Sequence, residues 1–312
     1  MGSTAEGTLR LAQDSRLEVT GNIWSRNNTG ILLDSGAELN ISGKKLTITN
    51  RAEEGTASLA ATTSTDPGEY TINRTGYQIS NAHVTYTGGD ATINNLLTNS
   101  SIENAGSGTL KVDNAGNTLS AVYATGGSVK LFSDAELDLQ ELEIATSLSV
   151  SAYSQLSEQA EQEARLNISG TANFGMGVTL NADLVMKSGA TLKVADTVQM
   201  GSDVRLESGL KLAGAQYDTL NSLKVGEKVT LFSGVDSLFL GSSTVASDAI
   251  TLDDRVLANE YFSNLSDSYF LVYDTTAGVG QGELSIAMIP EPTTATLSLV
   301  ALAALAMRRR RK

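Results

Sequence analysis

The heptapeptide SGATLKV at residues 188–194 contains the pattern that decides the fold of this chain. A turn of small residues, Ser188-Gly189-Ala190, leads into Leu192-Lys193-Val194, in which a polar residue separates two aliphatic ones. Because side chains alternate between the two faces of a strand, the triplet predicts a strand with one buried and one exposed face.

This Leu–polar–aliphatic triplet occurs seven times. Its copies begin at Leu17, Leu39, Leu110, Leu137, Leu166, Leu192 and Leu210. The intervals are irregular, for example 22 residues from Leu17 to Leu39 and 18 from Leu192 to Leu210. Repeats of this size indicate stacked coils that share one core, because a single coil cannot bury its own apolar face. We therefore predict an all-β fold, a parallel β-solenoid of the right-handed β-helix type, over residues 1–214.

The chief alternative is an antiparallel β-sandwich. Tight hairpins marked by Asn-Gly or Asp-Gly pairs would indicate that fold, and such pairs are rare in this chain. Asparagine instead recurs between the expected strands, for example at Asn94, Asn99, Asn104 and Asn117. Asparagine tolerates the left-handed backbone of sharp turns and can stack in ladders, so its distribution favours the solenoid.

Two stretches depart from the repeat. Residues 53–69 are poor in large apolar side chains and contain Pro67-Gly68, which predicts a long surface loop. Residues 154–165 are rich in Ala, Glu and Gln, which favours a short helix laid on the solenoid.

The composition changes after about residue 214. Eight of the 16 aromatic residues lie between there and residue 289. Residues 228–232, 269–273 and 283–286 have the composition of strands, and residues 278–282 that of a hairpin turn. Because the last coil of a solenoid exposes apolar surface and unpaired strand edges, we predict that residues 215–289 form a β-rich cap.

The body of the chain is strongly acidic. The whole sequence has 22 basic and 35 acidic residues, a formal charge of −13. The last five residues are all basic, so the rest carries 17 basic and 35 acidic residues, or −18. Such a surface repels phosphates, which argues against nucleic acid as a partner. Cysteine is absent, which excludes disulfides and thiolate sites.

The C-terminal tail differs from everything before it. Pro290, Glu291 and Pro292 precede an uncharged run of 15 residues that begins at Thr293 and ends at Met307. The run predicts a single hydrophobic helix of roughly 22 Å, which is short for a hydrocarbon core of about 30 Å. A basic cluster then closes the chain, at Arg308, Arg309, Arg310, Arg311 and Lys312. This cluster is expected to stay cytoplasmic. The alternative, a core helix of a soluble domain, fits less well because the polar residues of the run all lie near its start.

These residues resemble the PEP-CTERM sorting signal, which is also described as an ice-binding protein C-terminal domain. The resemblance rests on Pro290-Glu291-Pro292, the apolar run and the basic cluster, in that order, and covers about the last 24 residues. It implies a protein of a Gram-negative-type bacterium that crosses the inner membrane and is processed by an exosortase-type enzyme near Pro290-Glu291-Pro292. It implies nothing about ice.

Proteins with such a tail also begin with a signal peptide. Residues 1–6 contain neither the basic region nor the apolar stretch of one, so we expect the chain to be a fragment or to have an upstream start. The body more loosely resembles the passenger domains of autotransporter-like surface proteins, through its Ser-Gly-Ala-x-Leu-x-Val repeat and its Asn-rich turns. That resemblance implies a β-helix outside the cell and transfers no functional residues.

Few residues are candidates for chemistry. His83, the one histidine, cannot make a two-histidine metal site, and no nucleophile stands in a sequence context that completes a triad, so we predict a surface histidine on a strand. Asp253 and Asp254 would point to opposite faces of a strand, so a solvated turn is a better interpretation than a glycosidase pair. Trp24 is a weak candidate for stacking on a sugar. We predict no catalytic, metal or cofactor site.

Taken together, these features predict an exported, non-enzymatic surface or matrix protein. Residues 1–214 would form the solenoid, 215–289 the cap and 290–312 the sorting tail. The expected partners are an exosortase-type enzyme, the inner membrane in transit and surface glycans. The alternatives are a polysaccharide-active solenoid enzyme, whose acids would meet only in three dimensions, and a glycan-binding module. Two carboxylates about 5–10 Å apart in a groove would favour the enzyme.

Overall fold

In a computed structural model, most of the described residues of this chain lie in short strands. The model describes residues 8–12, 14–19, 23–26, 30–33, 37–41, 46–49, 69–73, 78–80, 82–86, 90–93, 96–113, 116–133, 136–153, 160–241, 249–276 and 282–288. The strands of the first half are β1 (Thr8–Leu11), β2 (Arg16–Val19), β3 (Ile23–Arg26), β4 (Gly30–Leu33), β5 (Ala37–Ile41), β6 (Leu46–Thr49), β7 (Glu69–Asn73), β8 (Gln78–Ser80), β9 (Ala82–Tyr86), β10 (Asp90–Ile93), β11 (Leu96–Asn104), β12 (Leu110–Asp113), β13 (Thr118–Ala124), β14 (Val129–Ser133) and β15 (Glu136–Ile144).

The second half continues in the same manner and adds two short helical turns. Its strands are β16 (Ser147–Tyr153), β17 (Ala160–Glu163), β18 (Arg165–Phe174), β19 (Thr179–Asn181), β20 (Asp183–Met186), β21 (Thr191–Val194), β22 (Val198–Met200), β23 (Val204–Leu206), β24 (Lys211–Ala213), β25 (Lys228–Val235), β26 (Leu238–Leu240), β27 (Tyr269–Asp274) and β28 (Gly282–Met288). Between β24 and β25 lies the helix α1 (Ala215–Leu220), and a 3₁₀ turn spans Ala258–Glu260.

The strands form two sheets of 13 strands and one of two. Sheet I runs in the order β27-β28-β25-β22-β19-β16-β14-β12-β10-β7-β6-β3, with β17 beside β16. Sheet II runs β2-β5-β9-β11-β13-β15-β18-β20-β23-β26, with β8, β21 and β24 attached. From β10 to β16 successive strands alternate between the two sheets, so that each strand from β11 to β16 lies beside the strand two positions before it.

The predicted parallel arrangement is confirmed, and the antiparallel sandwich is excluded as the organisation of the body. Among the described strands, pairing is antiparallel only for β16–β17, β25–β28 and β27–β28. The fold is therefore all-β with long parallel sheets, which is compatible with a β-solenoid.

The repeated triplets place their leucines inside the body as predicted. Leu192 is fully buried, and so are the leucines of four other copies: Leu110, Leu137, Leu166 and Leu210. Leu17 is partly buried, and the side chain of Leu39 lies outside the described residues. Continuous apolar rows cross the strands, for example Val84, Ile102 and Val122 in register. These rows are the shared core that a single coil could not supply.

Among the described triplets, one middle residue is covered rather than exposed to solvent, although it lies on the outer face with Asp138. Asn167 is only 6% exposed, whereas Asp138, Lys193 and Lys211 are exposed. Its register partners are Asp138 on β15 and Val185 on β20. The Asn167 amide donates to Asp138 Oδ1 at 2.9 Å, so the neighbouring strands cover this residue and its polar atoms are satisfied.

The long strands of sheet II bend near their middle. The pairing of β15 with β18 shifts between Leu139 and Glu141, and the pairing of β11 with β13 shifts between Thr98 and Ser101. Such irregularities bend a strand. In consequence the first half of β18 pairs with β20 and its second half pairs with β21.

The asparagines support the turns in two ways. Asn99 has the left-handed backbone that was expected, with φ of 47°. Asn104 is fully buried; its amide donates to the carbonyls of Gly108 and Ser128, and its oxygen accepts from the Gly106 N–H. The role of Asn104 is therefore side-chain bonding across neighbouring coils, because a buried amide must satisfy its donors and acceptor.

Two sequence predictions about the body need comment. The short helix over residues 154–165 is wrong in its second half, where β17 pairs with β16 and Arg165 begins β18. Pairing with an existing strand edge outweighs the weak helix preference of Ala, Glu and Gln. Of the loop predicted over residues 53–69, residues 53–68 lie outside the described residues, and Glu69 begins β7.

The C-terminal region is built differently from the coils. The strands predicted near residues 228–232, 269–273 and 283–286 are present as β25, β27 and β28, and they pair antiparallel. Residues 278–281 of the predicted hairpin turn are outside the described residues, and Gly282 belongs to β28. Ile250 and Leu257 each form an isolated β-bridge with the outer edge of β27. The edge is thus partly paired, which limits its availability to other chains.

The C-terminal helix remains a prediction, because residues 289–312 lie outside the described part of the chain. Within the described residues, no helix has the length and apolar character needed to cross a membrane.

Candidate functional site

The outer face of sheet II carries a group of polar and titratable side chains that contact one another. Two rows run across β9, β11, β13, β15 and β18. The His83 row contains the register partners His83, Ser101, Ala121, Glu141 and Thr171. The Glu103 row contains Thr85, Glu103, Tyr123, Glu143 and Asn173. Neighbours in a row are about 4.8 Å apart, close enough for side chains to bond.

Ser101, His83 and Glu103 form a hydrogen-bonded chain at one end of these rows. His83 Nδ1 lies 2.7 Å from Ser101 Oγ, and His83 Nε2 lies 3.4 Å from Glu103 Oε2. Because a carboxylate only accepts, Nε2 of a neutral ring is the donor and Nδ1 accepts from the serine hydroxyl. The order nucleophile, base, carboxylate is that of a serine hydrolase triad, but there the serine lies on Nε2 and the carboxylate on Nδ1, the reverse of the arrangement at His83.

The surroundings of this chain oppose acyl transfer. Ser101 lies within β11 and is paired with β9 on one side and β13 on the other. Its backbone therefore belongs to the sheet ladder, whereas an oxyanion hole needs N–H groups aimed at the substrate. Glu103 beside it and Glu141 further along would also repel a developing negative charge. The arrangement can hold a histidine firmly, but it offers little stabilisation to a transition state.

Glu103 is itself tied to several neighbours. Its Oε2 accepts from Thr85 Oγ1 at 3.2 Å, and its Oε1 accepts from Thr125 Oγ1 at 3.2 Å. The ring of Tyr123 meets His83 edge-on with 5.9 Å between centroids. At this end of the two rows, the side chains therefore form a hydrogen-bonded network on the surface of the sheet.

Tyr123 connects the network to a second feature. Its hydroxyl donates to Glu141 Oε2 at 2.5 Å. Partial burial, the bond to Glu141 and the charges of Glu141, Glu143 and Glu103 raise the pKa of Tyr123 well above its ordinary value. The phenol therefore stays protonated and keeps one Glu141 oxygen in a fixed position.

A shallow cleft of about 370 Å³ opens next to Glu141. It is lined by Gln140, Glu141, Ser169, Gly170 and Thr171, which form the corner between the halves of β15 and β18. On β18, Ser169 and Gly170 stand opposite Gln140 alone. The cleft thus lies where one strand has a residue more than its neighbour.

Gly170 is required at this corner. A Cβ at this position would collide with the Gln140 carbonyl oxygen, so the two strands could not approach as they do. Ser169 Oγ donates back to the Leu139 carbonyl at 3.2 Å. Glu141 is the one carboxylate among the five lining residues, so the cleft does not contain the facing pair that a glycosidase needs.

The residues singled out in the sequence have separate places. His83 is a partly exposed residue of β9, as predicted. Asp254 accepts from the Thr251 N–H and Oγ1, which confirms a turn at Asp253-Asp254 and lowers the pKa of Asp254. Trp24 is on β3, and its side chain is outside the described residues. Pro290, Glu291, Pro292 and the rest of the tail lie outside them too.

Sequence reasoning missed the partners of His83. Ser101 and Glu103 follow it by 18 and 20 residues, intervals close to the coil length, and comparing coils at that interval would have aligned them. Within the described part of the chain, no group of three or more acidic or histidine side chains is arranged to hold a metal ion.

Comparison with known proteins found no matching family model, no similar curated protein and no similar solved structure.

Proposed function

We propose that this protein is an exported structural or adhesin-like component of a bacterial surface or matrix. Its body would be a closed, right-handed β-solenoid with a β-rich cap over residues 215–289. The supporting observation is the in-register stacking of parallel strands, with apolar rows inside and polar rows outside. Stacking of this kind yields long, regular faces, which suits a scaffold whose surface meets other molecules.

The tail supplies the proposed address. Pro290-Glu291-Pro292, the apolar run from Thr293 to Met307 and the basic cluster at its end have the order of the PEP-CTERM signal. We propose that this segment enters the inner membrane transiently and is cut by an exosortase-type enzyme. A run of 15 residues is marginal for lasting insertion, as a signal that is later removed would require.

Sorting can be tested by expression with a restored signal peptide, in one host that has an exosortase and one that lacks it. Mass spectrometry of exported protein should find a C-terminus near Pro290-Glu291-Pro292 only in the first host. A triple alanine variant of these three residues is the matched control and should not be processed. Exported protein that still carries Arg308 to Lys312 in both hosts would contradict the proposal.

The tail is also proposed to be independent of the body. Deleting residues 290–312 should therefore leave the melting temperature within about 2 °C of the full chain, because few contacts would be lost. A fall of about 5 °C or more, which for a chain of this size corresponds to about 2 kcal/mol, would mean that the tail packs on the fold.

A second candidate function is ester hydrolysis, favoured by the 2.7 Å contact between His83 and Ser101. We propose that the chain lacks it, because the backbone at Ser101 is paired with β9 and β13 in the sheet and Ser101 lies near Glu103. Neither a fluorophosphonate probe nor a panel of polysaccharides and p-nitrophenyl esters should report activity above Ser101→Ala. Labelling of Ser101 that disappears in His83→Ala would make hydrolysis the better assignment.

A further inference from the structure

We propose that the corner cleft formed by Gln140, Glu141, Ser169, Gly170 and Thr171 is a binding subsite for a neutral, hydroxyl-rich carbohydrate. The proposal names a ligand class for the surface-exposed body and rests on the proposed scaffold function, although its binding test does not depend on sorting.

The chemistry of the walls favours sugar hydroxyls. Gln140 offers both amide donors and a carbonyl acceptor, Thr171 a hydroxyl that does both, and Glu141 an acceptor. Sugar hydroxyls donate and accept, so they can match all of these groups. A lysine or arginine side chain only donates, and it would leave the amide and hydroxyl donors without acceptors.

The cleft is also held in shape before any ligand arrives. Tyr123 holds one oxygen of Glu141 at 2.5 Å, and the Ser169 hydroxyl is bound to the Leu139 carbonyl. Gly170 keeps the corner backbone close to Gln140. A site whose groups are already ordered loses less entropy when it binds.

Electrostatics narrows the ligand to uncharged sugars. Glu141, Glu143 and Glu103 lie on the same outer face, within two neighbouring rows. Acidic polysaccharides would be repelled by this face. The extra carboxylates outside the cleft also provide a matched control, because Glu143 shares the strand, face and charge of Glu141 but does not line the cleft.

The test is calorimetric titration of the full chain with neutral hexasaccharides that differ in linkage: cellohexaose, laminarihexaose, maltohexaose and mannohexaose. At least one should bind, and Glu141→Gln should weaken it about tenfold, because a bond to a charged acceptor is lost. Thr171→Val should weaken it a few-fold, and both Glu143→Gln and Thr191→Val should leave it unchanged. Unaltered melting temperatures would show that the variants are folded.

Three results would overturn the subsite. The first is no binding of any neutral hexasaccharide to the full chain. The second is equal weakening by Glu141→Gln and Glu143→Gln, which would indicate diffuse charge effects. The third is binding of decalysine that depends on Glu141 without any binding of a neutral sugar, which would assign the cleft to a cationic peptide. Failure of tail processing would leave all three readouts unaffected.

Discussion

The parallel coils and the C-terminal region solve the same packing problem in different ways. In the coils, the neighbours of a residue are its own counterparts, as Val84, Ile102 and Val122 show. In the C-terminal region, antiparallel strands and single contacts take over: Tyr273 donates to the carbonyls of Val235 and Asp236. Repetition can build the interior of a parallel sheet, but the strand at the end of the sheet needs different neighbours, because no further parallel strand covers its edge.

Charge in the core should have the largest effect. Leu192→Asp should cost 4 kcal/mol or more, because it buries a carboxylate without a partner between Ala172 and Leu212. Urea denaturation would measure it, and Lys193→Gln on the exposed face is the control, with a change of at most about 0.5 kcal/mol.

A buried carboxylate in the C-terminal region should destabilise a smaller part of the structure. Ile286→Asp should raise hydrogen exchange in β25, β27 and β28 while β11 to β15 stay protected, because coils couple mainly to their neighbours. Equal loss of protection throughout the chain would mean that the whole body folds as one unit.

The next largest effects should come from glycine substitutions, whose cost in stability should differ between the two regions. A Cβ at Gly127 would meet the carbonyl oxygen of Gly108 in the neighbouring coil, whereas one at Gly282 would meet the Tyr273 ring. The Gly108 backbone is held in its turn by the Asn104 amide and can move less than a ring can, so we expect Gly127→Ala to cost about 3 kcal/mol and Gly282→Ala about 2 kcal/mol. Chemical denaturation would rank them, and the reverse order would show that the coils adapt more easily.

The next effects in size should come from two asparagines whose side chains bond to backbone groups. Asn104→Ala removes three side-chain hydrogen bonds from a buried turn and should cost about 2 kcal/mol. Asn264→Ala removes two bonds to the Leu212 backbone and should cost about 1 kcal/mol, mostly by loosening the C-terminal region. Thermal melts would measure both, and Asn173→Ala on the outer face should be close to neutral. If Asn104→Ala left the melting temperature unchanged, the three side-chain bonds of Asn104 would not be important for stability.

The smallest effects should come from two acidic residues whose contributions to stability change with pH in opposite directions. Burial, reinforced by the charge of Asp203, raises the pKa of Asp183 above its ordinary value of 3.8. A raised acid pKa means that the native state binds more protons, so stability falls as pH rises through that pKa. Asp183→Asn should therefore raise the melting temperature at about pH 7 and lose this advantage at about pH 2.5.

Glu283 should behave in the reverse way. Burial alone would raise its pKa, but bonds from Lys228, Ser285 and Thr230 outweigh burial and lower the pKa below its ordinary value of 4.5. Its stabilising contribution is present above that value and is lost as pH falls through the lowered pKa. Glu283→Gln should thus lower the melting temperature at about pH 7 and have little effect at about pH 2.5. The same sign for both variants would contradict these assignments.

Local patterns predicted much of the fold. The alternation in Leu192-Lys193-Val194 was enough to predict which residues are buried, because alternation is a property of the pleated backbone. The same reasoning failed at Asn167, whose exposure depends on Asp138 and Val185 from neighbouring strands. It also failed at residues 160–163, where strand pairing overrode helix preference.

The sequence by itself determined the parallel, all-β character of the body, its acidic outer surface and the unlike composition of the tail. Tertiary structure alone decided that His83 meets Ser101 and Glu103, and that Gly170 opens a cleft beside Glu141. The alternation of side chains within a strand decides which face of the sheet a residue lies on. The register between strands decides which residues of the neighbouring strands lie beside it. Register depends on irregular coil lengths and on single inserted residues, and these have no local signature.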